Sequence, residues 1–145
     1  MEEIPVGELS LDSLRGNRET SWFALGYDLF SFDDGESYRR ILSAQPEFEL
    51  MEILAFVGTW CPDCQEHLPG FARIADTVRF PRERLKVFGM DRGKSFPGGS
   101  GIIARYGILR LPTFIFLKEG KEIGRITESP RESLLKDWAQ IVFAG

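Results

Sequence analysis

Several chemistries are excluded by what this chain has little of. Of 145 residues, two are cysteine and one is histidine. A structural zinc ion wants four ligands; Cys61, Cys64 and His67 offer three on neighbouring turns, poorly placed for one ion, so no metal is expected. There is no third cysteine and no separate peroxidatic motif, which argues against a thiol peroxidase. No apolar run reaches the length of a bilayer span. Cations are not in excess: 18 Lys and Arg stand against 22 Asp and Glu, a net charge of -4. Nucleic acid and anionic membrane, which are held by clustered Lys and Arg, are therefore not expected partners. Gly93-Lys94-Ser95 resembles the end of a phosphate-binding loop, but Phe88 stands where that pattern needs glycine. The stretch through Gly101 reads instead as a flexible loop. The start Met1-Glu2-Glu3-Ile4-Pro5-Val6 has neither a basic nor an apolar signal region, so a cytoplasmic location is expected.

What is present is ordinary for a globular domain: 43% hydrophobic and 28% charged residues, with no repeat or low-complexity tract. A chain of this size forms one domain that buries roughly two-thirds of its unfolded surface. One domain over residues 1–145 is expected, divided into a helical N-terminal extension (1–48) and a core (49–145). In the extension, Trp22, Leu25 and Leu29 share a helical face, and Asp33-Asp34 can cap a helix carrying Tyr38, Ile41 and Leu42. The aromatic cluster Trp22, Phe23, Tyr27, Phe30 and Phe32 reads as an extension of the core. Strand signals follow at residues 51–58, 85–90, 113–118 and 122–127, the last two joined by a turn at Glu119-Gly120-Lys121. A helix with Leu68, Phe71, Ala75 and Val78 on one face links the first two strands as a right-handed βαβ unit. Ser129-Pro130-Arg131-Glu132 predicts the start of a final helix whose stripe is Leu134, Leu135, Trp138, Ile141 and Val142.

Both cysteines fall in Trp60-Cys61-Pro62-Asp63-Cys64, directly after the apolar run Ile53-Leu54-Ala55-Phe56-Val57. Two thiols separated by two residues, entering a helix after a buried strand, can open and close a disulfide without moving the backbone. This spacing reads as a redox pair, with an inert or metal-binding thiol pair as the alternative. Thiolate is the attacking form, and Cys61 sits where unpaired helix N–H groups and the dipole favour negative charge. Pro62 suits the first helical position, where its missing N–H costs nothing. Cys64, one turn further in, suits the resolving role. Asp63 opposes the dipole as a like charge near the thiols.

Downstream stands Tyr106-Gly107-Ile108-Leu109-Arg110-Leu111-Pro112-Thr113, followed by Phe114-Ile115-Phe116-Leu117-Lys118-Glu119-Gly120. In motif order and composition, the two segments together resemble the thioredoxin family, over about residues 51–143. The resemblance implies an α/β thioredoxin fold: a mixed central sheet, built from a βαβ unit, a hairpin and a helix, flanked by helices. It implies that Trp60 shields the first thiol, that Pro69 kinks the helix, and that Leu111-Pro112 is a cis dipeptide abutting the disulfide. Family members pair an extended substrate segment with the residue before that proline. Arg110 and Glu128 then stand on the two rims of the groove, where the family usually has small residues. Ala55 stands in place of the family's buried aspartate and Val87 in place of its lysine partner, so Asp63 is the nearest substitute proton acceptor. The segment 91–106 runs longer than the family pattern, and Pro-Asp replaces the Gly-Pro of general thioredoxin between the cysteines. The implied activity is thiol–disulfide exchange on disulfide-containing protein substrates. It needs no bound cofactor, and its electrons come from an NADPH-linked reductase or a small thiol. The rival reading is a redox-sensitive binding or chaperone-like module that uses the groove beside Leu111-Pro112 without turnover.

Overall fold

The computed structural model describes residues 4–144; the start of the chain at 1–3, on which the expectation of no leader partly rests, and residue 145 lie outside the described residues. Five strands, β1 (Gly7–Leu9), β2 (Met51–Val57), β3 (Leu85–Gly89), β4 (Thr113–Lys118) and β5 (Lys121–Thr127), form one mixed sheet in the order β1-β3-β2-β4-β5. β2 and β3 run parallel; the other three pairings are antiparallel. β2 is central and buried almost throughout, which is why its sequence is an unbroken apolar run rather than an alternation.

The parallel pair needs a crossover, supplied by α4 (Pro62–Thr77), which begins directly after the cysteine turn and carries Pro69 inside it. Phe71 on α4 stacks on Phe114 with centroids 3.9 Å apart. Trp138 on α6 (Leu134–Ala144) meets Phe71 and Phe116, each at 4.9 Å. α4 and α6 therefore cover the sheet face that carries Ala55, the cross-strand partner of Phe114. Trp138 Nε1 is buried with no hydrogen-bond partner among the described residues. That costs about 1–3 kcal/mol and is offset by ring contacts worth about 0.5–1.5 kcal/mol per pair beyond their area.

The opposite face, to which Leu54 and Phe88 belong, is met by α5 (Ser100–Tyr106). A loop is expected up to Gly101, and α5 beyond it is short and follows a Gly-rich turn, so its half-buried Ile102, Ile103 and Tyr106 give too little periodic signal to predict it.

The N-terminal extension is not wholly helical. β1 pairs with the edge of β3, its Gly7 at φ 85, and three residues are too few to show a strand pattern. α1 (Leu11–Gly16), α2 (Ser21–Leu29) and α3 (Gly35–Ser43) follow, with Asp34 capping α3 through Ser37 N–H as its sequence suggests. The buried face of α2 is not the expected one: Leu25 and Leu29 are 62% and 72% exposed, while Phe23 is buried and Trp22, Tyr27 and Phe30 pack on the core. The reason is close backbone approach to α4 around Pro69. A Cβ on Gly26 would lie 2.9 Å from Pro69 Cβ, and one on Gly70 would lie 2.6 Å from the Phe30 ring. Tyr27 also donates its hydroxyl to Asp76, which takes two further hydrogen bonds from Arg82 at 2.6 and 2.7 Å.

α6 begins later than Ser129-Pro130 predicts. The buried Asp137 carboxylate accepts the N–H groups of Arg131 (2.7 Å) and Glu132 (3.2 Å), holding that segment in a turn, and Ser133 caps the helix through Lys136 N–H at 3.0 Å.

Candidate active site

Cys61 is the N-cap of α4, in extended conformation (φ -84, ψ 122), and its side chain makes no capping bond. The turn before it is closed by Cys61 N–H donating to Gly58 O at 3.0 Å. The Cys61 side chain thus stands at the mouth of α4, whose first-turn N–H groups it leaves unclaimed. Cys61 lies at the edge of burial, 9% exposed, whereas Cys64 is fully buried; both are free thiols.

Burial pushes the Cys64 thiol well up from the ordinary cysteine range. The Gly58 N–H, donated to its sulfur at 3.3 Å, acts in the opposite direction, while Cys61 and Asp63 push the same way as burial. No carboxylate hydrogen-bonds to Cys64 among the described residues. Asp63 is exposed on the first turn of α4 and makes itself felt only as a like charge. Ala55 and Val87 are β2–β3 register partners, 0% and 1% exposed, so the interior under this end of the sheet is apolar.

Trp60 lies flat on Gly58, where an added Cβ would come within 2.6 Å of the indole. Its Nε1 donates to Met90 O at 2.9 Å, and the Arg92 guanidinium lies 5.6 Å from its ring centre. The Leu111–Pro112 peptide bond is cis, and the Cys61 thiol donates to Leu111 O at 3.7 Å. Thr113 Oγ1 donates to Arg110 O at 2.6 Å, and Glu128 N–H to Pro112 O at 2.7 Å. Glu128 stands at φ 65, a left-handed conformation in which glycine is the easier residue, and its carboxylate meets the Arg110 guanidinium at 3.3 Å.

The fold thus brings together Trp60, Cys61, Pro62, Cys64, Leu111 and Pro112, and links Arg110, in the loop before β4, to Glu128, in the loop after β5. His67 stands apart, half-buried with Nε2 3.8 Å from the Glu66 carboxylate. No group of three or more His, Cys, Asp or Glu is arranged to hold a metal ion among the described residues. Two contributors escape the sequence reading: Gly58, whose N–H meets Cys64 and whose bare Cα seats Trp60, and Met90, whose carbonyl fixes the indole. A glycine two residues before the tryptophan was the available signal for the first; a backbone carbonyl leaves none.

The family model described as Thioredoxin matches residues 33–140. Thioredoxin H-type 1 of Nicotiana tabacum is 25% identical over 99 residues, 68% of this chain and 72% of that protein. Thiol-disulfide oxidoreductase ResA of Halalkalibacterium halodurans is 29% identical over 107 residues, 62% of this chain and 61% of that one. A solved thioredoxin of Malassezia sympodialis superposes with a TM-score of 0.46 at 26% identity, covering 64% of this chain and 76% of its own. No helix among the described residues is long and apolar enough to cross a membrane.

Proposed function

Because this chain belongs to the thioredoxin family, we propose that it is a thiol–disulfide oxidoreductase in which Cys61 attacks and Cys64 resolves. The observation that carries this reading is the asymmetry of the two thiols. Cys61 stands at a helix mouth beside the cis dipeptide, and Cys64 is enclosed one turn behind it. A redox role is supported by the family itself and by relatives that include a thiol-disulfide oxidoreductase.

In the forward cycle the Cys61 thiolate attacks one sulfur of a substrate disulfide. A mixed disulfide forms, and the other substrate sulfur leaves as a thiolate that takes a proton. Cys64 loses its proton and attacks Cys61; the Cys61–Cys64 disulfide forms and the second substrate thiol is released. Two electrons have moved from protein to substrate, and an external dithiol or reductase returns them. Trp60 and Pro62 bound the sulfur on one side, while Arg110, Leu111, Pro112 and Glu128 form the groove that receives the substrate chain. Substrates are disulfide-containing proteins. No separate cofactor takes part, since the dithiol is the redox group. A chain whose two cysteines form one motif suits a reducing compartment such as the cytoplasm.

Turnover tests the reading. Reduction of insulin by dithiothreitol should be accelerated by the protein and not by Cys61→Ser. Absence of acceleration, with intact binding of an oxidised peptide, would instead favour a redox-sensitive binding module.

A further inference from the structure

The rim of the groove carries charges fixed to the loop that meets the reactive sulfur. Arg110 directly precedes Leu111, whose carbonyl takes the Cys61 thiol at 3.7 Å, and its own carbonyl is held by Thr113. Glu128 is pinned through its N–H to Pro112 O at 2.7 Å. The pair is a single contact, Arg110 Nη1 to Glu128 Oε1 at 3.3 Å, with Arg110 65% and Glu128 42% exposed at the side chain. A guanidinium has five N–H donors in a fork, so one monodentate contact leaves donors facing solvent. Lys94 reaches the same loop: its Nζ donates to Leu109 O at 3.1 Å and forms no ion pair among the described residues. Two cations, Arg110 and Lys94, thus stand at this loop, with the Glu128 carboxylate on Arg110 and the Asp91 carboxylate engaged by Gly93 and Ser95 in the turn that carries Lys94, in a chain whose net charge is -4. The exposed Asp63 lies in the first turn of α4, two residues after Cys61.

Building on the proposed dithiol exchange, we infer that Arg110, backed by Lys94, makes the groove select protein disulfides whose cysteine is flanked by a carboxylate. A substrate lying along Leu111-Pro112 brings the neighbours of its cysteine within reach of residue 110, one residue away. A flanking Asp or Glu takes the free side of the Arg110 fork, a charge-assisted contact. A flanking Lys meets two like charges. Glu128 competes for the same guanidinium and so moderates the preference. Arg110, Lys94 and Glu128 act on which substrate is held; the sulfur chemistry belongs to the cysteines.

The test is single-turnover reduction, by the pre-reduced full chain, of three disulfide-linked peptide dimers differing only in Asp, Ala or Lys beside the cysteine. Electrons come from the protein dithiol alone, and each rate is normalised to the same peptide's reduction by dithiothreitol, which removes intrinsic thiol reactivity. At low salt the Asp peptide should react roughly 3- to 10-fold faster than the Lys peptide, as a few exposed charge pairs allow, and the gap should shrink in about 0.5 M salt. Arg110→Ala should bring the ratio toward one, and Glu128→Gln should widen it. A change in the ratio separates selection from a merely structural effect, which would slow all three peptides alike. Equal normalised rates, a faster Lys peptide, or a ratio unmoved by Arg110→Ala overturns the inference while leaving the dithiol reading standing. No reduction of any peptide overturns both.

Discussion

Gly58 donates its backbone N–H to the Cys64 sulfur at 3.3 Å, the hydrogen bond that this buried thiol accepts from the protein. Around it the balance runs against ionisation: burial raises the thiol and is only partly opposed by that N–H. General thioredoxins, by the family resemblance, keep a buried carboxylate nearby to take the proton; this chain has Ala55, paired in register with Val87.

Breakdown of the mixed disulfide should therefore be slow near pH 7 and quicken as pH rises, because the raised Cys64 thiol ionises only at higher pH. Ala55→Asp should speed this step several-fold at neutral pH and lower stability by about 2 kcal/mol or more, since a carboxyl is being buried without a partner. Stopped-flow decay of a preformed mixed disulfide across pH 6–10 is the check. An unchanged rate in Ala55→Asp, with a slower one in Asp63→Ala, would mean that Asp63 already takes the proton and that no such defect exists.

The docking of α2 on α4 gives a prediction of opposite sign to helix propensity. Alanine normally gains about 1 kcal/mol over glycine inside a helix. At Gly26 the new methyl would sit 2.9 Å from the Pro69 ring, which cannot rotate away, and overpacking of that kind costs about 1–3 kcal/mol. Gly26→Ala should lower the urea midpoint, for a net loss of roughly 1 kcal/mol. Gly16→Ala, where nothing lies within 4 Å, should not. Equal midpoints for the two variants would refute the close approach.

Acid stability should depend on Asp76. Burial raises this carboxyl, but hydrogen bonds from Arg82 and Tyr27, with Coulomb attraction from Arg82 and Arg73, outweigh it and leave the group below its ordinary value. A carboxyl lower in the folded state than in the unfolded one contributes stability above the unfolded pKa. That contribution fades as pH falls through the folded one. The window opens near pH 4 and runs downward. Asp76→Asn should lose stability at pH 7 and show a flatter acid limb in denaturant midpoints between pH 5 and 2. A limb as steep as in the parent would contradict the network.

The core was readable from the sequence because its signals are local and redundant. An unbroken apolar strand, a thiol pair at a helix start and a hairpin at Glu119-Gly120 each point the same way. The extension was less so. α2 buries Phe23 rather than Leu25 and Leu29 because Gly26 and Gly70 let two backbones meet, a tertiary effect with no periodic trace. The start of α6 differs from the sequence expectation for a related reason: Asp137, itself inside the helix, takes the N–H groups of Arg131 and Glu132 and fastens that segment back onto the helix, ahead of the Ser133 cap. In the site, the residue types were legible, whereas the Gly58 N–H on Cys64 and the Arg110–Glu128 contact depend on segments brought together only by folding.

The division of labour between the thiols is tested most directly by trapping. Cys64→Ser and Cys61→Ser, each incubated with an oxidised protein substrate, are analysed by non-reducing mass spectrometry. Cys64→Ser should accumulate a stable mixed disulfide through Cys61, and Cys61→Ser should accumulate none. Trapping by Cys61→Ser alone would reverse the assignment, and trapping by neither would contradict disulfide exchange at this site.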